Sequence, residues 1–181
     1  MLRSDLGSAG DRLLAHVRER KQIFYGAHKD YGYLTGQEMN IILTNQCWFE
    51  VQGHELDSFK HVNNSVYLNY LETVRWNFFR EFSMMEDLER EKLYPVVIEV
   101  NVRYMKELRL FDQFVINSRY WIEDNYIVSD HKAVCNDRKA TMMKAKVKML
   151  LVSEDRIVYD IPPHIRELFS AGEPILAHRG E

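Results

Sequence analysis

The chain has little of what marks a specialised class of protein. Cysteine occurs only twice in 181 residues, and the spacing of Cys47 and Cys135 fits no zinc or redox motif. Both lie in apolar, strand-like stretches, which predicts buried free thiols and favours a cytoplasmic location. No apolar run approaches the roughly 18 residues that a membrane span requires. The N-terminal segment carries acidic residues and no apolar run, which argues against a secretory signal.

Acidic and basic residues are nearly balanced. Lys and Arg number 24 against 27 Asp and Glu, for a formal net charge of −3, whereas nucleic-acid binders usually carry a basic excess on one face. The sequence shows no Gly-rich phosphate loop and no metal-ligand cluster, so we expect no cofactor, no metal and no nucleic-acid partner. The remaining composition, 46% hydrophobic and 28% charged, is ordinary for a globular protein.

Glycine separates the first 44 residues from the rest of the chain. This segment holds five of the eight glycines, and residues 11–25 between them carry the loose apolar stripe of a short helix. We therefore expect three parts: an N-terminal extension over 1–44 that is partly helical, a folded domain over 45–169 and a mobile tail over 170–181.

The most strongly patterned element is a helix over residues 64–82. Apolar residues recur at helical spacing without a Pro or Gly among them, and Asn63 or Asn64 can cap the first turn. Leu68, Trp76 and Phe79 extend the apolar surface around most of the circumference. This pattern predicts a helix that is enclosed by other structure.

Strands lie on both sides of this helix in the sequence. One is predicted before it, over 46–55, and a short charged helix is predicted after it, over 84–93. Period-two alternation then predicts four consecutive strands, over 96–105, 112–123, 126–134 and 141–151.

The last strand shows which face of the sheet is buried. Its apolar residues alternate with Lys144, Lys146 and Lys148, so only one face can be buried. Two prolines end the sheet, and a short helix over 164–169 can follow them. The sequence therefore predicts an α+β fold, in which a five-stranded antiparallel sheet wraps around one long central helix.

A polar turn joins the first predicted strand to the long helix, and it carries Asp57 and His61. The N-terminal end of a helix has free N–H groups and the positive end of the helix dipole. Such an end can bind a carbonyl oxygen as negative charge develops on it. The turn therefore places a possible acid/base group beside a possible oxyanion site.

The residues of this turn and helix resemble a signature of hotdog-fold thioesterases, specifically the 4-hydroxybenzoyl-CoA thioesterase-like group. That signature is roughly D-x-x-G-H-V-N-N-x-x-Y-x-x-Y-x-E-x-x-R. The matching residues are Asp57, His61, Val62, Asn63, Asn64, Tyr67, Tyr70, Glu72 and Arg75. The resemblance covers about residues 46–169, and the chain is also similar to acyl-ACP thioesterases. Lys60 stands where the acyl-CoA group has Gly; if this position needs a positive φ, Lys60 holds it at some steric cost, whereas the acyl-ACP pattern tolerates a side chain here.

The resemblance implies hydrolysis of acyl-CoA, or of acyl-ACP, to free acid and thiol. Asp57 would be the general base or the nucleophile, and backbone N–H groups near Asn64 would bind the oxyanion. His61 would orient Asp57 or water, or would be structural. Glu72 is a second candidate carboxylate, because some hotdog thioesterases place theirs on the helix, although an ion pair with Arg75 is the simpler reading of its spacing.

The same resemblance implies residues that contact the substrate and its carrier. The candidates are Asn63, Ser65, Tyr67, Tyr70, Arg103 and Lys106, the last two toward the phosphates of CoA. Helix capping is the alternative for Asn63 and Asn64, and core packing for the two tyrosines. Hotdog proteins pair into dimers with sites at the subunit boundary, so we expect a homodimer or homotetramer. Two other functions stay open: an enoyl-thioester hydratase or dehydratase, and a non-catalytic acyl-CoA-binding domain.

Overall fold

The structure, a computed structural model, describes residues 28–30 and 41–170. The predicted helix over 11–25 and the predicted tail beyond residue 170 lie outside the described residues. The predicted folded domain over 45–169 lies within the described residues.

One antiparallel sheet forms the frame of the domain. Its strands, numbered along the chain, are β1 (His28–Asp30), β2 (Ile42–Glu50), β3 (Leu93–Tyr104), β4 (Gln113–Glu123), β5 (Tyr126–Cys135), β6 (Ala140–Ser153) and β7 (Val158–Tyr159). The spatial order is β1-β2-β4-β5-β6-β3, and β7 pairs with β6. The five predicted strands are confirmed as the five long ones, and β1 and β7 are short additions of three and two residues.

Three α-helices accompany this sheet in the described part of the chain, α1 (Val66–Glu81), α2 (Met84–Arg90) and α3 (Pro163–Leu168), together with a 3-10 turn over Gly53–Glu55. α1 is the predicted long helix, and it packs on the inner face of the sheet. Its buried side chains are Tyr67, Tyr70, Leu71, Val74, Asn77, Phe78 and Phe79. The predicted side-chain cap is wrong in detail, because Ser65 occupies the N-cap position without a capping hydrogen bond. The Asn63 side chain instead accepts the Ser65 N–H at 3.0 Å.

The prediction that α1 is enclosed on nearly all sides is also wrong for a single chain. Leu68 and Trp76 are 43% and 45% exposed, whereas Phe79 is buried. These two side chains lie on a face of α1 that the sheet does not cover. The helix itself is confirmed, but among residues 28–30 and 41–170 nothing covers Leu68 and Trp76 fully.

β3 is an edge strand that is largely exposed along its length. Only β6 pairs with it, so its other edge leaves backbone N–H and C=O groups without a neighbouring strand among the described residues. Several of its apolar side chains are exposed as well: Tyr94, Val96, Val97, Ile98, Val100 and Tyr104. An edge of this kind is a template for pairing with another strand.

The core has two apolar clusters with a polar layer between them. One cluster surrounds Phe78, and the other surrounds Leu71. Between them, Asn45, Ser118 and His131 lie opposite one another on β2, β4 and β5. The imidazole of His131 is bonded on both sides by serine hydroxyls, at 2.8 Å to Ser118 and 2.9 Å to Ser129. Burial, and then the nearby Arg75, lower the pKa of His131 to about 3, so this ring is neutral.

Candidate active site

The turn that carries Asp57 is closed by backbone hydrogen bonds. The Asp57 N–H donates to the His61 carbonyl at 2.8 Å, and the Lys60 N–H donates to the Asp57 carbonyl at 3.0 Å. Lys60 adopts φ 63°, in the left-handed region that favours glycine. The prediction of a strained side chain at this position is confirmed. The turn keeps the shape that glycine would allow, although a lysine occupies it.

The carboxylate of Asp57 is half-buried and partly used by its own turn. Its Oδ1 atom accepts the Phe59 N–H at 2.8 Å and the His61 N–H at 3.2 Å. The Oδ2 atom accepts no hydrogen bond from any described residue. One oxygen therefore fixes the orientation of the carboxyl group, and the other is available to water or substrate.

The start of α1 lies next in the chain, and it offers an amide without a partner. The Asn64 N–H donates to no acceptor in the part of the chain that the structure describes. The peptide units around it are held in place: the Asn63 carbonyl accepts the Val66 N–H at 2.9 Å, and the Asn64 carbonyl accepts the Tyr104 hydroxyl at 2.9 Å. A fixed N–H at the positive end of a helix dipole is suited to bind an oxyanion.

Tyr104 was not predicted as a site residue, although its hydrogen bond joins the end of β3 to the start of α1. Its ring also lies edge-on to Tyr67, with centroids 5.2 Å apart. The available signal was alternation: Val102 packs on the core, so Tyr104, two residues further on, faces the same side. No local pattern reports the distance between the end of β3 and the start of α1, so sequence patterns alone do not predict this contact.

An aromatic cluster lies beneath the first turns of α1. Tyr70 contacts Phe49 and Phe114 with centroid separations of 5.0 and 5.1 Å, and Tyr67 lies 6.2 Å from Tyr70. The Tyr70 hydroxyl donates to Glu55 at 2.5 Å. Burial raises the pKa of Tyr67 to about 12, so its hydroxyl is neutral at ordinary pH. The packing role of both tyrosines is confirmed, and their contact with substrate stays a prediction.

The structure does not gather the other candidates around Asp57. The His61 side chain makes no hydrogen bond to the described residues, and only its backbone bridges to Arg109. Ser65 is exposed, and its hydroxyl donates to Asn63 Oδ1 at 3.0 Å. Lys106 is exposed on the loop after β3, where its N–H donates to the Met142 carbonyl at 3.1 Å. A direct role for His61, Ser65 or Lys106 stays a prediction.

Glu72 and Arg75 lie further along α1 and do not pair. The ion pairs of the described residues do not include them, so the predicted direct ion pair is not formed; burial lowers the pKa of Arg75, and the charges of Tyr120 and Glu72 act to raise it. Arg75 is half-buried and close enough to His131 to lower the pKa of that imidazole. Glu72 is exposed and lines a groove of about 300 Å³ between α1 and the first half of β3, together with Trp76 and Val96.

Arg103 lies away from this site. Its neighbours Val102 and Tyr104 face α1, so Arg103 projects from the opposite, outer face of the sheet. There it lines a cleft with Lys144 and other polar residues. The predicted contact of Arg103 with CoA phosphates stays a prediction, and the single chain does not place it beside Asn64.

Metal-ligand clusters and membrane-spanning helices are both absent from the described residues. Over residues 28–30 and 41–170, no group of three or more His, Cys, Asp or Glu side chains could hold a metal ion. No helix in the same part of the chain is both long and apolar enough to cross a membrane.

The known proteins that this chain resembles are thioesterases. The model of the thioesterase-like superfamily matches residues 51–169. The chain is 31% identical over 74 residues to the long-chain acyl-CoA thioesterase FadM of Escherichia coli, covering 41% of this chain and 56% of FadM. It is 31% identical over 71 residues to the chloroplastic acyl-acyl carrier protein thioesterase ATL3 of Arabidopsis thaliana, covering 39% of this chain and 37% of ATL3. The matches thus span only about half, or less, of these relatives.

Solved structures agree on the fold. The probable thioesterase YbaW of Escherichia coli superimposes with a TM-score of 0.62 at 21% identity, covering 67% of this chain and 93% of YbaW. A 1,4-dihydroxy-2-naphthoyl-CoA thioesterase from Synechocystis superimposes with a TM-score of 0.60 at 9% identity, covering 66% and 90%. The chain therefore has the hotdog fold, and it belongs to the thioesterase-like superfamily.

Proposed function

We propose that the protein hydrolyses acyl thioesters, with Asp57 and the Asn64 N–H as the reacting centre. The observation that carries this proposal is the unpartnered Asn64 N–H at the start of α1, preceded by a turn whose carboxylate has one free oxygen. Membership of a thioesterase family supports the reaction class. The roles of the individual residues rest on the geometry alone.

The proposed chemistry follows from these two groups. Asp57 takes a proton from water, and the resulting hydroxide attacks the thioester carbonyl carbon. The carbonyl oxygen becomes negatively charged and accepts the Asn64 N–H, an interaction of the kind that contributes roughly 3–4 kcal/mol to transition-state stabilisation. The tetrahedral intermediate expels the thiolate, which takes up the proton from Asp57, and the acid leaves. If Asp57 attacks directly, the C–S bond breaks as a mixed anhydride forms, and the thiolate leaves. Water then hydrolyses the anhydride to the free acid and the Asp57 carboxylate, and its other proton goes to the thiolate.

We also propose that two copies of the chain pair through β3. The unpaired backbone edge of β3 and its exposed apolar side chains favour the addition of a second strand. The exposed face of α1 around Leu68 and Trp76 lies on the same flank, because the groove between α1 and β3 contains Trp76 and Val96. A second copy there would cover both surfaces and close the groove.

We propose that the acyl group of the substrate lies in that groove. Glu72 lies eight residues after Asn64 and Trp76 lies twelve, so along the helix they are about 12 and 18 Å from the oxyanion site. One leaflet of a bilayer's hydrocarbon core is about 15 Å thick, which is the reach of an ordinary long acyl chain. The groove can therefore hold the far end of such a chain. FadM acts on long-chain acyl-CoA, which agrees with CoA as the first carrier to test.

The direct test is a thiol-release screen with purified protein on acyl-CoA substrates of increasing chain length and on acyl-ACP. We expect free thiol, with higher kcat/KM for chains that reach Trp76 than for short ones. Release of an enoyl product without thiol would indicate a hydratase or dehydratase. Binding of acyl-CoA without turnover would indicate a non-catalytic domain, and either result would contradict the proposal.

A further inference from the structure

The outer face of the sheet is strongly basic, although the whole chain has a formal net charge of −3. A cleft of about 530 Å³ lies on this face, over the middle of β3, β4, β5 and β6. Its charged side chains are five cations and one acid: Arg103, Arg119, Lys132, Lys144, Lys146 and Asp130. Such a concentration of one charge on one face differs from the even balance of the sequence.

Three of the cations form a row across the strands. Arg103 on β3 is directly opposite Lys144 on β6, and Lys144 is directly opposite Lys132 on β5. Neighbouring strands are about 4.8 Å apart, so the three charges start from backbone positions spanning roughly 10 Å. Like charges that are directly opposite destabilise a sheet. The row therefore has an electrostatic cost that a bound anion would remove.

Two other lysines on the same face, Lys146 and Lys148, contact aromatic rings of nearby strands. The Lys148 ammonium lies 3.9 Å from the centroid of the Tyr126 ring, and Lys146 lies 5.4 Å from that of Trp121. Arg103, Lys132 and Lys144 have no such ring and no ion pair among the residues the structure describes. The row is therefore left as a set of free donors.

We propose that this cleft binds the diphosphate group of a free phosphorylated small molecule, at a site separate from the reaction centre. Three cations that line one cleft with the amides of Asn101 and Asn117 suit an anion with several oxygens, because each charged donor can bond a different one. The concave shape and a volume within the range of small-molecule sites favour such a ligand over the flat contact of an acidic protein. The cleft opens on the sheet face opposite α1, so its ligand would not contact Asp57 or Asn64.

The test measures binding of inorganic pyrophosphate at fixed ionic strength by calorimetry. Wild type should bind one equivalent saturably, and the double variant Lys132→Gln/Lys144→Gln should lose affinity by roughly a hundredfold, about tenfold for each charge-assisted bond. The matched control is Lys148→Gln, which removes a lysine of the same face that already contacts Tyr126. It should keep wild-type affinity. Thermal unfolding checks the fold, and without ligand the double variant should be no less stable than wild type.

Several outcomes would overturn the proposal. These are no pyrophosphate binding by the wild type, an equal loss in Lys148→Gln, or binding of an acidic protein such as acyl carrier protein in place of pyrophosphate. A second measurement compares CoA with pantetheine. If Lys132→Gln/Lys144→Gln binds CoA no more tightly than pantetheine, the cleft holds the carrier of the substrate and is not a separate site. A separate site leaves a CoA-binding site of wild-type affinity in the double variant. None of these binding measurements requires thioesterase activity, so they stand or fall independently of the proposed function.

Discussion

Replacing Lys60 by glycine should stabilise the protein, because Lys60 is held at φ 63° in the turn that orients Asp57. The left-handed conformation costs an L-residue roughly 1–2 kcal/mol, and glycine adopts it freely. Glycine also gives the unfolded chain more freedom, which offsets about 0.4–1 kcal/mol of that gain. The Lys60 side chain is exposed and makes no hydrogen bond or ion pair with the described residues, so its loss removes no contact. The net gain should be about 0.5–1 kcal/mol.

Thermal unfolding measures this gain as a rise in Tm of roughly 1–4 °C for a chain of this size. The matched control is Ser58→Gly in the same turn, where φ is not positive and glycine only adds freedom to the unfolded chain. That variant should lower Tm by a similar amount. A rise in Tm for Lys60→Gly with a fall for Ser58→Gly supports the account. A fall in Tm for both variants would show that Lys60 does not adopt a strained positive φ. Thiol release by Lys60→Gly should stay close to wild type, since the turn keeps its shape.

Three further predictions follow from the site, the edge strand and the core. Tyr104→Phe removes the hydrogen bond to the Asn64 carbonyl and should lower kcat about three- to tenfold with little change in Tm; an unchanged kcat would mean that this bond does not position the amide. Val100→Lys places a charge on the exposed edge strand β3 and should shift the protein to monomer in light scattering, with loss of thiol release; an active monomer would exclude the pairing proposed here. His131 should stay neutral down to acidic pH, so its ring NMR signals should not shift between about pH 8 and about pH 5. Because its folded pKa lies below the unfolded value, stability should fall as pH decreases from about 6.5 toward about 3. A ring that titrates near its ordinary pKa would contradict the burial of this layer.

Local patterns in the sequence were sufficient for most of the fold. Alternation in 112–123 and 141–151 corresponds to β4 and β6, and the apolar period of 64–82 corresponds to α1. The positive φ of Lys60 also has a local signal, because the family signature has glycine at this position and glycine often marks a left-handed backbone conformation. These features depend on residues close together in the chain.

The contacts that the sequence did not predict join residues that are distant in the chain but close in space. Tyr104 reaches Asn64 over a separation of 40 residues, and no local pattern reports that distance. Helix spacing pairs Arg75 with Glu72, but Arg75 is half-buried on α1 and its charge also acts on the buried His131 of the sheet. Leu68 and Trp76 belong to the apolar pattern of α1, yet they are 43% and 45% exposed, because residue type alone does not show which side of a helix the sheet covers.

The most direct test of the central claim is the rate of thiol release by Asp57→Asn. The amide oxygen of asparagine can still accept the Phe59 and His61 N–H groups, so the turn should fold and Tm should change little. The account predicts a fall in kcat of about a hundredfold or more, as expected for loss of an acid/base group, while the matched variant Asp130→Asn on the outer face keeps wild-type kcat. A kcat for Asp57→Asn equal to that of Asp130→Asn would contradict it.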